Sequence, residues 1–274
     1  MHAKRLVHES SVSITSQFIR RVVLEQSMRA HVGHIGSALS IADMVAALYS
    51  DVLHIGHPRD PDRDRFILSK GHAVLAVYAA LYARGWITDR ELNTYCTDGT
   101  LLGVHPEHVL TGIDLSTGSL GQGLSVGAGA ALAARLDKSD RRVFVLVSDA
   151  ECNEGSQWEA VHFAAHHQLS NLVCLIDLNG QQALGYCKDV MRLPDMAGRW
   201  KMAGWDVHAA DGHNREELVR TLSSLHVKKG PPHVVIAKTV FGKGVSFMEN
   251  QIKWHYWPMS EQDYRQAMSE QAPL

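Results

Sequence analysis

Two short apolar runs, each followed at once by a polar side chain, constrain the fold of this 274-residue chain most strongly. Residues 143–147 form the first run and lead into Ser148 and Asp149, and residues 172–178 form the second and lead into Asn179. A helix-like segment lies between them. Parallel strands joined by a helix end at the same edge of an open α/β sheet, which is where ligands bind. The pattern therefore predicts Asp149 and Asn179 at one ligand-binding edge.

The rest of the chain extends this alternation of short apolar strands and helices. Strands are predicted at 65–69, 142–147, 172–177, 205–209 and 233–238. Helices are predicted at 12–31, 41–48 with Ser40 as the cap, 73–84, 118–135, 153–168, 195–203 and 214–227. Continuously apolar strands are typical of a parallel sheet with helices on both faces. No linker interrupts the pattern, so we predict a single α/β domain over residues 1–274.

The composition narrows the class of protein and its location. With 27 basic and 29 acidic residues the formal charge is −2, which favours neither nucleic acid nor a membrane surface as a partner. No apolar run reaches the roughly 18 residues of a membrane span, and the amino terminus lacks the apolar core of a secretion signal. The four cysteines form no C-x-x-C pair and are predicted to be reduced packing residues. These features predict a cytoplasmic protein.

Histidine is unusually frequent, with 17 copies. Four of them stand beside glycine or proline or near the end of an apolar segment, in loops where chemistry is often placed: His34, His72, His105 and His255. His162 and His166 have the i, i+4 spacing of a helical metal site. No glutamate stands between them and no third ligand is indicated, so a packed or partly exposed helix face is the preferred interpretation.

The side chains at the predicted sheet edge suit a hard divalent cation. An Asp side chain, an Asn side chain and backbone carbonyls are oxygen ligands for Mg²⁺ or Ca²⁺ that bridges phosphate groups. Ser148-Asp149-Ala150, with Asn179 following, resembles the thiamine-diphosphate motif Gly-Asp-Gly with Asn about thirty residues later, except that both glycines are replaced. An Asp at a strand end is also a common helix cap, so the motif alone leaves both interpretations open.

Five further segments resemble landmarks of the transketolase family, in the same order along nearly the whole chain. They are Gly33-His34-Ile35-Gly36, with Ile35 in place of the family's proline; Ser69-Lys70-Gly71-His72-Ala73; Gly103-Val104-His105-Pro106-Glu107; Ser116-Thr117-Gly118-Ser119-Leu120-Gly121-Gln122-Gly123; and residues 238–250, which precede His255. A full transketolase continues with a pyrimidine-binding domain and a further domain, whereas this sequence ends at Leu274. The chain therefore resembles the amino-terminal, diphosphate-binding subunit of a split transketolase with the thiamin-diphosphate-binding fold.

The resemblance implies a role for each matching residue. The cation, Mg²⁺ or Ca²⁺, would be held by Asp149, Asn179 and the backbone carbonyl of Gln181. Thiamine diphosphate would be bound by His72, Gly118, Ser119, Leu120, Gly121, Asp149, Ala150, Glu151, Asn179 and His255. The catalytic group would comprise His34, His72, His105, His255 and Glu154, the last as an interface carboxylate. Glu154 also fits a plain alternative, an acid favoured by the dipole at a helix start.

The implied reaction transfers a two-carbon ketol unit from a ketose to an aldose. The cofactor-activating glutamate would come from a carboxy-terminal partner subunit with a pyrimidine-binding domain, in a heterotetramer. A homodimer of this chain alone would expose the docking face. Sugar phosphates or related small molecules are the expected substrates. Two alternatives stay open: another thiamine-diphosphate enzyme, such as a 2-oxo acid dehydrogenase E1 subunit or a deoxyxylulose-phosphate synthase, and a silent regulatory subunit that has lost cofactor affinity through the changes at Ser148 and Ala150.

Overall fold

A five-stranded parallel sheet forms the centre of the protein in the computed structural model, which describes residues 13–271. Its strands are β1 (Arg65–Leu68), β2 (Val143–Ser148), β3 (Leu172–Leu178), β6 (Asp206–Asp211) and β7 (His233–Lys238). Their spatial order is β1-β2-β3-β7-β6, and every neighbouring pair is parallel. A separate antiparallel hairpin consists of β4 (Gln181–Gln182) and β5 (Gly185–Tyr186).

Helices precede, separate and follow these strands. They are α1 (Ser16–Ala30), α2 (Ile35–Ser40), α3 (Ala42–Ala47), α4 (Val74–Ala83), α5 (Asp89–Leu92), α6 (Gly123–Leu136), α7 (Gly155–His166), α8 (Cys187–Val190), α9 (Met196–Met202), α10 (Arg215–Ser223), α11 (Lys253–Tyr256) and α12 (Glu261–Ser269). Within residues 13–271 no helix has the length and apolar character needed to cross a membrane.

The side chains of β2 show how helices cover both faces of the sheet. Phe144 and Leu146 point into a hydrophobic cluster that includes residues of α1, α3 and α4. Val145 and Val147 point the opposite way, into a second cluster with residues of α6, α7 and α9. Successive strand residues alternate between faces, so a strand with helices on both sides must be apolar throughout. The predicted α/β fold with a covered parallel sheet is confirmed.

Several predicted boundaries were wrong. Ser40 does not cap a helix: it is the last residue of α2, which already begins at Ile35, and its hydroxyl donates to the buried Asp177 carboxylate at 2.7 Å. The helix expected from residue 118 begins only at Gly123, because Leu120 and Gly121 form a turn in which Gly121 has a positive φ. The hairpin and α12 had not been predicted; the hairpin strands are only two residues long and carry no apolar run. Residues 1–12, which include the first residue of the helix predicted at 12–31, and the last three residues lie outside the described part of the chain.

Candidate functional site

The carboxyl ends of β1, β2, β3 and β7 converge on one edge, where a cavity of about 460 Å³ opens. The parallel register places Ser148 opposite Asp177, and the Asp149 amide donates to the Asp177 carbonyl at 3.2 Å. Predicted site residues that line the cavity are His34, His72, His105, Gly118, Leu120, Ala150, Glu154, Asn179, Gln181 and His255. The edge predicted from the two apolar runs is therefore where these side chains meet.

Three of the four loop histidines form a compact cluster at the cavity. The ring centroids are 5.2 Å apart for His34 and His72, and 5.3 Å apart for His255 and each of the other two. The backbone N–H of His34 donates to the His255 carbonyl at 3.0 Å, which links two loops far apart in sequence. His105 lies across the cavity, with its ring about 3.5 Å from where a side chain on Gly118 would begin.

Burial keeps the clustered imidazoles uncharged. It lowers the pKa of His255 to about 4, with smaller contributions from His34 and the charge of Lys70. Burial likewise lowers the pKa of His34, and it lowers the pKa of His72 well below its ordinary value, with Lys70 as the second cause. A neutral imidazole at pH 7 can accept a proton from a substrate hydroxyl and return it. The cluster is therefore suited to general acid–base chemistry.

The side chains of Asp149 and Asn179 both accept hydrogen bonds from the backbone at Gly180 and Gln181. The Asp149 carboxylate accepts from the backbone N–H of Gly180 at 2.7 Å and from that of Ala150 at 2.9 Å. The Asn179 side-chain oxygen accepts from the backbone N–H of Gln181 at 2.9 Å. The oxygens of both side chains thus hydrogen-bond the backbone of the turn at residues 179–181, and Asp149 and Asn179 line a second cavity beside the one that holds the histidines.

Burial changes the ionisation of Asp149. Burial, reinforced by the charge of Asp177, raises the pKa of Asp149 to about 7. A divalent ion next to this carboxylate would stabilise its charged form. Among residues 13–271 no cluster of three or more His, Cys, Asp or Glu side chains is arranged to hold a metal. A cation at this edge would therefore need the amide oxygen of Asn179 and a backbone carbonyl as well.

The residues predicted to bind the diphosphate include one glycine, Gly121, whose backbone conformation strongly favours glycine. Gly121 has φ +81, and a β-carbon there would lie 2.6 Å from that of Glu154. Ala150, which stands where the motif has glycine, begins a 3-10 turn of residues Ala150–Asn153. It is not among the residues with positive φ, so its methyl group causes no backbone strain. Ser119 is exposed beside the cavity.

Glu151 and Glu154 differ in placement although both were predicted as site residues. The Glu151 carboxylate is wholly buried and accepts from the Ser69 hydroxyl and from the backbone N–H groups of Gly121 and Ser148, both at 2.9 Å. Its side chain thus fastens the Gly121 turn to the ends of two strands and does not line the cavity. Glu154 is exposed at the cavity wall and is the N-cap residue of α7.

A buried ion pair beneath the cavity was not predicted from the sequence. The Lys70 ammonium donates to Asp177 at 2.5 Å, and the exposed fractions of these side chains are 1% and 0%. Asp177 also accepts from Ser40, from the Thr239 hydroxyl and from the Asn179 amide, the last at 2.8 Å. Lys70 lies two residues before His72 in a segment that resembles the family, so the sequence could have indicated Lys70 as a residue of the site. Its partner became visible only in the tertiary structure.

The fold and site together define a class. A parallel sheet covered by helices, with a cavity at its carboxyl edge, is an α/β domain of the ligand-binding type. The family model of the transketolase thiamine diphosphate binding domain matches residues 12–271. The chain therefore belongs to the transketolase family.

Relatives of similar length match nearly the whole chain. An apulose-4-phosphate transketolase subunit of Phocaeicola vulgatus is 39% identical over 262 residues, which cover 95% of this chain and 93% of that protein. The 6-deoxy-6-sulfo-D-fructose transketolase subunit SqwG of Clostridium sp. is 37% identical over 268 residues, covering 97% and 95%. The prediction that this chain resembles the amino-terminal subunit of a split transketolase is thus confirmed.

Solved transketolases share the fold but are longer. The Campylobacter jejuni enzyme superimposes with a TM-score of 0.86 at 26% identity, covering 96% of this chain and 43% of that one. The Leishmania mexicana enzyme gives a TM-score of 0.86 at 28% identity, covering 96% and 41%. The chain therefore spans less than half of each of these transketolases.

Proposed function

We propose that this chain is the diphosphate- and cation-binding half of a thiamine-diphosphate-dependent transketolase that moves a two-carbon ketol unit from a ketose to an aldose. The observation that carries the proposal is the cluster of His34, His72 and His255, with ring centroids about 5 Å apart, on the cavity that Asn179 also lines. Neutral imidazoles beside a cation site provide proton transfer and phosphate binding in one cavity.

The chain's own residues divide the binding task. Asp149, Asn179 and the Gln181 carbonyl would hold Mg²⁺ or Ca²⁺, which would fix the diphosphate as a template. His72 and His255, with Ala150 and the backbone around Gly118–Gly121, which includes Ser119 and Leu120, would hold the diphosphate itself. Glu151 would support this backbone through the Gly121 N–H without contacting the diphosphate. When bound, thiamine diphosphate supplies the nucleophilic carbon and the electron sink.

Proton transfer would fall to the histidines. Cleavage of the donor's ketol bond converts a hydroxyl into an aldehyde and releases its proton, and addition to the acceptor converts its aldehyde oxygen into a hydroxyl, which takes up a proton. His34 and His105 line the cavity and would accept the first proton from the donor hydroxyl and donate the second to the acceptor's aldehyde oxygen. Since burial keeps His34 and His255 neutral near pH 7, they can act first as acceptors.

A partner subunit completes the proposed enzyme. Two relatives are named as transketolase subunits and match this chain nearly end to end, whereas solved transketolases are more than twice as long. We propose that a separate chain with the pyrimidine-binding domain docks here and that two copies of each form a heterotetramer. Glu154, exposed at the cavity wall, is the proposed contact with the partner's cofactor-activating carboxylate. The four cysteines are unpaired, in keeping with a cytoplasmic location.

Cofactor binding and turnover test the proposal in sequence. The full chain is titrated with thiamine diphosphate with and without Mg²⁺ by calorimetry, and then assayed with a partner recovered from its own cell extract. Cation-dependent binding is expected, with no turnover by the chain alone and ketol transfer from a ketose once the partner is added. Consumption of pyruvate in place of the ketose would instead indicate another thiamine-diphosphate enzyme. Absence of binding with both Mg²⁺ and partner would indicate a silent subunit.

A further inference from the structure

Tyr256 connects the segment that carries His255 to the hairpin that follows the cation site. It is the last residue of α11, and its hydroxyl donates to the carbonyl of Ala183 at 2.6 Å. Ala183 directly follows β4, whose first residue is Gln181. One hydrogen bond therefore joins the loop of a cavity histidine to the strand that bears a proposed cation ligand.

The backbone on the other side of Tyr256 is fixed against the His34 loop. The N–H of His34 donates to the carbonyl of His255 at 3.0 Å. Gly33 packs so closely that a β-carbon there would collide with the Tyr256 carbonyl oxygen. Residues 255 and 256 are thus held on one side by the His34 loop, and the Tyr256 hydroxyl extends that connection to the hairpin.

The hairpin depends on such external contacts. Its strands are two residues each, and an isolated two-stranded hairpin is marginally stable in water. A single hydroxyl hydrogen bond can therefore bias the position of such a short element. Tyr256 is 53% exposed, so its ring contributes little to the hydrophobic core. The contact is therefore better suited to placing the hairpin than to stabilising the whole fold.

We infer that Tyr256 is a positioning residue that sets the distance between His255 and the Gln181 carbonyl, and so the affinity of the cation-dependent cofactor site. The inference rests on the proposed function, because the cation and the diphosphate are the groups that this spacing would serve. Tyr256 itself lines the cavity together with His255 and Gln181.

The hairpin provides a matched control in Tyr186. Its hydroxyl also donates to a backbone carbonyl of the carboxy-terminal segment, that of Asn250, at 3.2 Å. Tyr186 lies in β5, where its backbone pairs with Gln181, and it lines a second cavity that Asp149 and Asn179 also line. Tyr186→Phe keeps this backbone pairing and removes only the hydroxyl contact with Asn250, so it tests whether another hydroxyl anchor of the same hairpin has the same effect as that of Tyr256.

Two measurements on the full chain test the inference. Hydrogen exchange of residues 180–186 is followed in wild type, Tyr256→Phe and Tyr186→Phe, and binding of thiamine diphosphate is titrated at a series of Mg²⁺ concentrations. Tyr256→Phe is expected to speed exchange near Gln181 and to raise the Mg²⁺ concentration for half-maximal binding by about 2- to 10-fold, the range that 0.5–1.5 kcal/mol implies. Tyr186→Phe is expected to bind like wild type, and the melting temperatures of all three should agree closely.

The outcomes separate this inference from the proposed function. Unchanged exchange and unchanged Mg²⁺ dependence in Tyr256→Phe would overturn the role of Tyr256 and leave the cofactor site standing. An equal rise in the required Mg²⁺ concentration in Tyr186→Phe would also overturn it, since either hydroxyl hydrogen bond would then hold the hairpin equally well. A wild-type chain that binds no cofactor at any Mg²⁺ concentration would contradict the proposed function, and this inference with it.

Discussion

At the residue scale, burial determines which site groups carry charge. The same removal from water that lowers the pKa of His255 to about 4 raises the pKa of Asp149 to about 7. Desolvation always disfavours the charged form, so it moves a base and an acid in opposite directions. Burial thus favours the uncharged form both of the clustered imidazoles and of the Asp149 carboxyl.

The free energy of unfolding should fall as pH falls through the range set by His255. Its pKa is lowered from 6.5 to about 4 in the folded chain, so between these values the unfolded chain binds a proton that the folded chain does not. Stability therefore rises with pH across that window and is lost on acidification. Urea unfolding at pH 7 and pH 5 should show a smaller decrease for His255→Gln than for wild type. Parallel decreases in the two proteins would contradict the assignment.

Asp149→Asn should separate cofactor binding from folding. The amide cannot supply the charge that a divalent cation needs, so we expect Mg²⁺-dependent binding of thiamine diphosphate to weaken at least about tenfold. The substitution removes a buried charge but leaves one acceptor oxygen for the two backbone N–H groups of Ala150 and Gly180, so the cofactor-free chain should still fold, with a small change in melting temperature. Asp137→Asn, which alters a carboxylate 64% exposed on the surface, is the control. Loss of folding without a specific loss of binding would argue against a ligand role.

At the element scale, α6 shows how a helix rich in small residues packs on the sheet. Gly127 faces β2, where a β-carbon would collide with a methyl carbon of Val145. Gly129, two positions later, has no atom within 4 Å of the equivalent point. The two glycines therefore serve different purposes: one permits close approach of helix and strand, and the other lies on the open side of α6.

These glycines give substitutions with opposite expected signs. Gly127→Ala should destabilise the protein by about 1–3 kcal/mol, because the added methyl group overpacks the interface with β2. Gly129→Ala should stabilise it by up to about 1 kcal/mol, since alanine favours the helix and meets nothing. Urea unfolding of both variants measures the difference. A loss of stability in both variants would contradict the expectation that an added methyl group at Gly129 meets no other atom.

At the scale of the whole molecule, Lys70 and Asp177 join the ends of several elements beneath the cavity. Lys70 follows β1, Asp177 lies in β3, Ser40 ends α2 and Thr239 follows β7. The segments between these residues are long, so the network closes contacts that local structure cannot. Removing both charges from water costs free energy that offsets their attraction, so this ion pair contributes more to orienting the surrounding side chains than to net stability.

Removing one member of this ion pair should lower the free energy of unfolding more than removing both members. Asp177→Leu leaves the buried Lys70 ammonium without an anionic partner and is expected to cost about 3–5 kcal/mol of unfolding free energy. The double variant Lys70→Met, Asp177→Leu removes both charges and should recover part of that loss, since Ser40, Thr239 and Asn179 still lose their acceptor. We expect its cofactor binding to stay impaired, because Asn179 loses the acceptor that orients its amide. Equal stability of the single and double variants would contradict the coupling.

Much of the fold and the site followed from local patterns. The apolar runs before Asp149 and Asn179 predicted two central strands and the edge where they end, because strand character depends on neighbouring residues. The ordered glycine–histidine segments predicted the family and the cavity histidines. The partners of Glu151 and Ser40 could not be predicted, because their hydrogen bonds join segments far apart in sequence.

The sequence by itself determined the parallel sheet, its ligand-binding edge and the family, because hydrophobic periodicity and short motifs are written in consecutive residues. Only the tertiary structure decided that Glu151 supports the Gly121 turn while Glu154 lines the cavity, and that Lys70 pairs with Asp177. It alone decided that the imidazoles are neutral and that Tyr256 reaches the Ala183 carbonyl. Protonation depends on burial, and burial depends on what the whole chain packs against each group.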